Sequence, residues 1–470
     1  MEPSGPQTIP VSTSRLTGMP AFSVIWFGQL VSLFGSSMTR FAIGIWLYQQ
    51  TGLVTTFSLM IFFTHLPRIA LTPFAGVLAD RWNRKLVMMI SDLATGLTTV
   101  IILILLRADA LEIGYLYALV AFSSAFESFQ WPAYSSAITM MVDKKHFART
   151  NAMLEMARNG SSVVAPLLAA SLLALIQIEG IVLIDILTFF AAIGTLLLVP
   201  IPQPKQSEAG RKAGGGLLKE AAFGFRYILG NASLLGLQIN FTLVNLLLGL
   251  TAAIRTPMIL ARTGYNEVVL GTVLSIAALG SVAGSAIMSA WGGPRRKIHG
   301  VLIGLALGCL GLAVQGLGRG LIVWAAGGFV LFFSLPLANA SLQSIWQSKT
   351  PADVQGRVFA ARRLIAQGGL PLAILVAGPL SDRLFEPAMG PDGILVPLFG
   401  GLVGTGPGAG MSLVVFLAGV IGVALPFLAG YALPAVRYLE DRVPDVQTVA
   451  DSPPAEPETY DPQPQKQEAR

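Results

Sequence analysis

Long, uninterrupted apolar runs recur along this chain of 470 residues and constrain its fold more than any other feature. A helix needs about 20 apolar residues to cross a hydrocarbon core of about 30 Å, and each run approaches or exceeds that length. The runs lack the strict alternation of barrel strands, so we predict an all-α membrane protein. Its twelve predicted spans are 22–48, 55–79, 86–107, 115–141, 152–177, 181–199, 232–260, 267–291, 299–317, 321–346, 359–382 and 411–433.

The composition excludes most soluble classes of protein. Hydrophobic residues make up 53% of the chain and charged residues only 12%, which is about half the usual soluble share. So few charges cannot cover a water-exposed surface, which excludes a cytosolic enzyme, a secreted disulfide scaffold and a disordered protein. The single cysteine, Cys309, forms no internal disulfide and no cysteine-rich metal site. We therefore predict no enzymatic activity, no metal or other cofactor, and no nucleic-acid partner.

The basic residues predict the orientation in the membrane. With the N-terminus in the cytoplasm, 23 of the 31 lysines and arginines lie in or next to cytoplasmic segments, and four lie outside. Those four are Arg107, Arg262, Arg319 and Arg383. Such a bias is the positive-inside pattern, so we predict a multi-pass membrane protein with both termini in the cytoplasm. The polar N-terminal stretch does not have the features of a cleavable signal.

Polar segments divide the chain into predicted units. These are a cytoplasmic segment at 1–20, a six-helix bundle at 21–199, a linker at 200–231, a second six-helix bundle at 232–436 and a tail at 437–470. The linker is basic with a flexible glycine stretch, and the proline-rich acidic tail is predicted to be disordered. The long outer connection at 384–410 is predicted to be a Gly/Pro loop rather than an ordered lid, because it carries few groups that could pack.

The loop after the second span carries a distinctive motif. It begins at Gly76 and reads GVLADRWNRK, which places a carboxylate at Asp80 ahead of clustered basic residues. The spacing G-x-L-A-D-R-x-x-R-K between spans two and three resembles the signature loop of the major facilitator superfamily. Asn83 stands where that family usually has glycine, and asparagine also tolerates left-handed backbone. The equivalent loop of the second half, WGGPRRK at 291–297, keeps the basic residues and lacks the aspartate.

Further segments resemble one bacterial group of this superfamily, which contains enterobactin exporters and macrolide efflux proteins. They are QWPA at 130–133, NA at 151–152, DILTF at 185–189, QSKTPADVQGRV at 347–358 and GPLSDR at 378–383. The resemblance implies two pseudo-symmetric six-helix bundles and secondary active export of a small amphiphile, commonly against a proton gradient. The implied partners are the small-molecule substrate, protons and membrane lipid, with the chain acting as a monomer.

Two other functions remain open. The same fold supports import or lipid movement, and a chain of this kind could also be a non-transporting sensor or partner subunit that uses its tail. No phosphate-binding loop of the form GxxxxGK[ST] occurs in the sequence, so the chain cannot hydrolyse ATP by that route. An intact signature loop and titratable residues within the spans favour transport.

The resemblance also implies a gate on the cytoplasmic side. Its residues are Gly76, Asp80, Arg81, Arg84 and Lys85 of the loop, together with Gly356 and Arg357 at the start of span eleven. In relatives the loop aspartate docks at the start of that span, where a carboxylate meets the positive end of the helix dipole. The alternative is that Asp80 is an exposed loop charge.

Charged residues inside spans are the candidates for coupling, because they are costly in lipid unless they are paired or face water. Glu127 lies about 18 Å from the outer end of span four, and Arg40 lies about 12 Å from the outer end of span one. An ion pair between them and an Arg40 side chain that reaches the outer interface are both possible. Glu127 is the predicted proton carrier, and the alternative is a structural glutamate bonded to a neighbouring serine.

Other polar residues complete the predicted site. His65 on span two is a second candidate for coupling, although a packed histidine is the alternative. We interpret Asp92, Glu155, Arg158 and Asp185 as helix-end caps or inter-helix pairs. The predicted substrate cavity is lined by amides and hydroxyls that recur at helical spacing. These are Gln29, Ser32, Ser36, Asn240, Asn245, Asn339 and Gln343.

Overall fold

The computed structural model describes residues 17–143, 146–201, 217–351 and 354–445. Side chains within these ranges are described except at 72–81, 136, 139, 147–148, 151–152, 155, 158–159, 162–163, 174, 217–221 and 431. The first half contains α1 (Gly18–Thr51), α2 (Val54–Arg81), α3 (Arg84–Arg107), α4 (Ile113–Met141) and one long helix, Phe147–Leu198.

The long helix crosses the bundle twice. Its backbone leaves helical geometry at Gln177, with φ 57° and ψ −177°, so its two arms are α5 (147–176) and α6 (178–198). The hydropathy pattern predicted a break immediately after this residue, between spans 152–177 and 181–199.

The second half begins with a short amphipathic helix and then repeats the arrangement. The helices are α7 (Leu217–Leu229), α8 (Ala232–Arg262), α9 (Glu267–Trp291), α10 (Lys297–Leu317), α11 (Leu321–Lys349), α12 (Gln355–Gly368), α13 (Leu370–Pro379), α14 (Glu386–Ala388), α15 (Val396–Val403), α16 (Ala409–Ala432), α17 (Pro434–Arg437) and α18 (Leu439–Arg442). A π-helical turn, Leu380–Phe385, connects α13 to α14. Ten candidate spans among the described helices are long and apolar enough to cross a membrane. With α4 and α5 they complete the predicted twelve, so the all-α prediction is confirmed.

Local sequence signals set where these helices start and stop. Asn83, Asn231 and Asn266 precede α3, α8 and α9, and each side chain accepts a hydrogen bond from the first turn of its helix. Asparagine is a preferred residue at this position because its carbonyl satisfies an otherwise unpaired N–H. Asn83 has φ −62°, so it serves as a helix cap and does not use the left-handed conformation considered for it. Gly52 and Gly292 end α1 and α9 in left-handed geometry.

The two ends of the bundle differ in how the halves meet. We call the end where α1 begins at Gly18 the basic end, because the basic loops cluster there, and the end where α1 stops at Thr51 the opposite end. Near the opposite end a single hydrophobic core contains residues of both halves, such as Leu47 and Val54 together with Ile254. The halves are therefore packed together at this end.

At the basic end each half has its own core. Phe22 and Met88 belong to a cluster drawn from the first half, whereas Leu234 and Trp346 belong to a cluster drawn from the second. Among the described residues, no buried cluster joins the halves at this end. The chain is thus closed at the opposite end and separated at the basic end.

The prediction of a Gly/Pro loop at 384–410 is wrong. This segment contains α14 and α15, and its Met389 and Val403 are fully buried against α16. Glu386 accepts hydrogen bonds from the backbone N–H groups of Gly408 and Met411 at 3.2 and 2.8 Å, and so caps α16. Arg262 donates to the carbonyl of Val403 at 2.6 Å. Although the segment is rich in glycine and proline, it also contains enough apolar side chains to form a small core with α16.

The tail packs further than predicted. Leu439 is fully buried, and the Glu440 carboxylate accepts hydrogen bonds from the backbone N–H groups of Lys297 and Ile298 at the start of α10. The second-half loop that lacks an aspartate therefore receives a carboxylate from the C-terminal segment. The predicted disorder can apply only beyond residue 445, which lies outside the described residues, as do most of the linker residues before α7.

Candidate functional site

A cavity of about 260 Å³ lies in the first half on the side of the basic end. Its walls come mainly from α1, α3, α4 and α6, and they combine aromatic, hydroxyl, amide and charged side chains. The polar lining residues are Gln29, Ser32, Ser36, Arg40, Arg68, Asp92, Thr95, Thr99, Glu127, Ser128, Gln130, Asp185 and Arg363. Among the described lining residues, Arg363 is the one contributed by the second half.

Arg40 and Glu127 form an ion pair inside this cavity. The guanidinium Nη1 of Arg40 donates to Oε1 of Glu127 at 2.5 Å, and the two side chains are 30% and 17% exposed. Arg40 therefore faces inward instead of extending to the interface. Ser128 donates to the carbonyl of Ala125 on its own helix, so it does not satisfy Glu127. This contact does not test whether Glu127 carries a proton, so that role stays a prediction.

Asp92 on α3 is buried in the same wall. Gln29 donates to its Oδ2 at 2.8 Å and Gln130 donates to its Oδ1 at 2.5 Å. Gln130 also donates to the amide oxygen of Gln29 at 2.9 Å, so the three side chains form a closed polar triad across α1, α3 and α4. From the sequence, Asp92 is expected to be a helix-end cap or an inter-helix pair. The geometry supports the inter-helix interpretation, and the residues that Asp92 bonds to are themselves part of the cavity wall.

Asp185 on α6 forms a second buried carboxylate site. The residue is 3% exposed, and its carboxylate accepts hydrogen bonds from Ser36 at 2.9 Å and from Thr99 at 3.2 Å. Sequence reasoning placed Asp185 among the helix-end charges, because distance along a helix does not reveal which face turns inward. The signal that could have identified Asp185 is its position in DILTF at 185–189, one of the segments that resemble the bacterial efflux group.

Of the other residues predicted for coupling and for the cavity, some line this cavity and others do not. His65 is partly buried on α2 and does not line the cavity, whereas Arg68 one turn away does. The four second-half amides predicted to share the cavity, Asn240, Asn245, Asn339 and Gln343, do not line it. Their assignment to the substrate cavity therefore stays a prediction, and this cavity does not include them. Gln29, Ser32 and Ser36 do line it.

The gating motif is partly described. Gly76, Asp80 and Arg81 lie in the last turns of α2, and their side chains are outside the described set. Arg84 is buried at the start of α3, and Lys85 donates to the carbonyls of Val199 at 3.0 Å and Leu197 at 3.3 Å. Lys85 therefore caps the end of α6 within its own half.

The predicted docking site for Asp80 is covered on one side by the linker helix. Gly356 and Arg357 lie in the first turn of α12, and both are exposed. Gly224 of α7 packs so closely on this turn that an added Cβ would collide with the carbonyl oxygen of Arg357 and with Ala361. The contact fixes α7 to the start of span eleven.

A polar contact of three hydrogen bonds joins the halves at the opposite end. Asp382, in the π-helical turn, accepts hydrogen bonds from the backbone N–H groups of Val54 at 3.0 Å and Thr55 at 2.7 Å. The Thr55 hydroxyl donates to the same carboxylate at 2.6 Å. A second-half carboxylate thus caps the N-terminus of α2, where the helix dipole favours negative charge.

Asp382 escaped sequence reasoning as a gating residue, although a signal was present. The hexapeptide GPLSDR at 378–383 has the same pattern, G-x-L-x-D-R, as GVLADR at 76–81. One copy ends α2 at the basic end, and the other lies at the opposite end of the span formed by α12 and α13. Gly378 allows the close approach, since an added Cβ would collide with the backbone of Thr55.

Known proteins share this architecture. The family model described as Major Facilitator Superfamily matches residues 25–374. Macrolide efflux protein A of Streptococcus pyogenes is 23% identical over 366 residues, covering 77% of this chain and 90% of that protein. Multidrug efflux pump Tap of Mycolicibacterium fortuitum is 23% identical over 372 residues, covering 76% of this chain and 88% of that protein.

A solved structure confirms the fold. A bacterial homologue of the human lysosomal transporter Spinster, in an inward-facing and unoccupied conformation, superposes with a TM-score of 0.65 at 16% identity. The match covers 90% of this chain and 99% of that chain. Because a family model matches well over half of the sequence, the chain belongs to the major facilitator superfamily and is a multi-pass membrane transporter, not an enzyme.

Proposed function

We propose that this transporter is a proton-coupled exporter of a small amphiphilic molecule, such as a siderophore or a macrolide-like drug. The observation that carries the proposal is the Arg40–Glu127 ion pair in the wall of the cavity. A carboxylate that can be reached from the cavity, and that loses its partner when it is protonated, links proton binding to the shape of the site.

The coupling step follows from the charges of this pair. Ionised Glu127 holds Arg40 by a charge-assisted hydrogen bond, which is the arrangement observed. A proton on Glu127 removes the negative charge and frees the guanidinium to move. For export, the proton enters from the outer side and leaves to the cytoplasm, after which the pair forms again and the cavity accepts substrate.

The composition of the cavity supports an amphiphilic substrate. Trp26, Trp131 and Phe189 supply flat apolar surface, and the amide and charged groups described above supply polar contacts. Ligand sites in proteins commonly combine an apolar wall with a few oriented polar groups. Two relatives bear names that refer to macrolide and multidrug efflux, and these names favour export over import or lipid movement on this fold.

Alternating access would use two carboxylate caps on the same helix pair. In the observed state Asp382 caps α2 at the opposite end, and this cap holds the halves closed there. In the alternate state Asp80 would cap the start of α12 at the basic end. The two copies of G-x-L-x-D-R would then form reciprocal latches, each released when the other forms.

The membrane arrangement completes the proposal. The basic end faces the cytoplasm, both termini are cytoplasmic, and the chain works as a monomer in a bacterial inner membrane. With this orientation the observed state is inward-facing.

The experiment is an accumulation screen followed by a vesicle assay. A strain that lacks the transporter should accumulate more of one siderophore, macrolide or related amphiphile than a complemented strain. Inverted vesicles that contain the transporter should concentrate that compound when acidified inside, and a protonophore should abolish uptake. No difference in accumulation across the screen, or uptake that is insensitive to the protonophore, would refute proton-coupled export.

A further inference from the structure

The wall behind the Arg40–Glu127 pair contains a carboxylate that forms no ion pair with the described basic residues. Asp185 is 3% exposed, and the described ion pairs do not include it. The charge of Arg40 reaches Asp185, but the guanidinium of Arg40 is bound to Glu127. An ionised carboxylate removed from water costs several kcal/mol without compensation, so this group binds either a proton or a cation.

Oxygen atoms from three helices surround this carboxylate. Ser36 of α1 donates its hydroxyl hydrogen to it at 2.9 Å, and Thr99 of α3 shares its single hydrogen between it and the carbonyl of Thr95, both at 3.2 Å. A hydroxyl that donates its hydrogen keeps two lone pairs, so both oxygens remain able to coordinate a cation. These residues are drawn from α1, α3 and α6, and they line the cavity through which an ion would enter.

A fourth oxygen, that of Thr39, is only loosely bonded. Thr39 lies three residues after Ser36 on the same face of α1 and within reach of Asp185. Thr39 is 4% exposed, and its Oγ1 atom makes no hydrogen bond within the usual distance and angle limits, although its hydroxyl lies beside the Asp185 carboxylate as a loose contact. Buried hydroxyls are nearly always well bonded, so a loosely bonded one beside this carboxylate has an oxygen that is available to a further ligand.

The helices hold the group tightly. Gly35 lies where α1 crosses α6, and an added Cβ there would collide with Asp185 and with the hydroxyl of Thr188. The close approach excludes an organic group from this position, so a ligand shared by these oxygens has to be a small ion. One carboxylate with neutral hydroxyls matches a single positive charge, whereas Mg²⁺ and Ca²⁺ usually take more carboxylate or water ligands.

We propose that Asp185, Ser36, Thr39 and Thr99 bind one Na⁺ ion. The site is separate from the Arg40–Glu127 pair, and a transporter that carries both would respond to Na⁺ as well as to protons. Only that last consequence rests on the proposed function, because ion binding requires neither a substrate nor a gradient.

Thermal unfolding of the purified full-length protein in detergent tests the site. Choline chloride is replaced stepwise by NaCl or by KCl at constant pH and ionic strength, so that only the cation changes. We expect a saturable rise in melting temperature with NaCl and a much smaller rise with KCl, because a ligand that binds the folded state stabilises it by mass action.

Matched variants separate the site from general salt effects. Asp185→Asn should abolish the response to Na⁺, and Thr39→Val should raise the half-saturating concentration about tenfold, which corresponds to about 1.4 kcal/mol. Thr98→Val is the control, because Thr98 is also 4% exposed but bonds to Ala94 on its own helix. Thr39→Val keeps the test decisive if Asp185→Asn does not fold.

Three results would overturn the site. The first is an equal response to all three salts, and the second is a Na⁺ response that persists unchanged in Thr39→Val. The third is a melting temperature that follows pH but not Na⁺, which would assign Asp185 to a proton alone. None of these measurements involves export, so a failure here and a failure of the proposed function are distinguishable.

Discussion

The carboxylate of Asp382 accepts both the backbone N–H and the hydroxyl of Thr55, at 2.7 and 2.6 Å, across the boundary between the two halves. The contact lies where the halves share one hydrophobic core. A single charged group therefore helps to hold this end of the transporter closed. Asp382 is the first residue to change in order to shift the conformational equilibrium.

Replacing Asp382 with asparagine should open the opposite end more often. The change removes a charge-assisted cap worth about 1–2 kcal/mol, which corresponds to a shift of about 5–30-fold in the equilibrium. Spin labels or cysteines at positions 49 and 267 report the distance, because Gln49 and Glu267 are hydrogen-bonded across the halves at 2.7 Å. The control is Asp392→Asn, an exposed carboxylate in the same outer segment. An unchanged distance distribution in Asp382→Asn would show that the cap does not hold the end closed.

Replacing Asp80 with asparagine should have the opposite effect. If Asp80 caps α12 in the alternate state, its loss favours the state described here, and transport should fall without loss of folded protein. Because the two changes weaken opposing states, the double variant should return the distance distribution towards that of the wild type. Normal transport by Asp80→Asn would mean that the loop charge is not a latch.

The orientation prediction concerns the linker and the outer segment. In a chain without Cys309, cysteines introduced at positions 208 and 391 should react with an impermeant reagent from opposite sides of the membrane, with 208 on the cytoplasmic side. Labelling of both positions from the same side would contradict the arrangement of twelve spans.

The C-terminal segment is expected to stabilise the second half through Lys349. The buried ammonium of Lys349 donates to the carbonyls of Glu440 and Val443 and pairs with Asp445 at 2.9 Å. Lys349→Met would leave the two carbonyls unsatisfied, at about 1–3 kcal/mol each. We expect a melting temperature several degrees lower, whereas Lys297→Met, which removes a half-buried lysine whose ammonium bonds to Gly292, should change it little. Equal effects of the two variants would show that the segment contributes nothing.

Asp445 gives this contact a pH dependence. The hydrogen bond from Lys349 lowers the pKa of Asp445 below its ordinary value. A depressed pKa means that the contribution is complete above the ordinary aspartate pKa of about 3.9 and is lost as the pH falls through the lower folded-state value. Because Asp445 is 71% exposed, we expect a contribution below about 1 kcal/mol. The difference in melting temperature between wild type and Asp445→Asn should therefore be small at neutral pH and vanish in strong acid.

Hydropathy predicted the helices well, because span length and loop charge depend on local sequence alone. The relative depth of Arg40 and Glu127 followed from the helical rise, which is why their contact could be considered in advance. Rotation about the helix axis cannot be obtained this way, so the sequence indicates only caps or inter-helix pairs for Asp92 and Asp185, whereas both line the cavity. The contacts of Glu440 and α15 depend on residues distant in sequence, and composition alone indicated loops there.

The most direct test of the account is proton-driven uptake by Glu127→Gln in inverted vesicles. Glutamine keeps the shape and can accept a hydrogen bond from Arg40, but it cannot ionise. We expect gradient-driven accumulation to fall at least about tenfold while substrate exchange without a gradient remains measurable. Glu112→Gln, at the exposed start of the same helix, should accumulate substrate like the wild type. If Glu127→Gln accumulates substrate as the wild type does, the proton carrier is another residue and the proposed coupling is wrong.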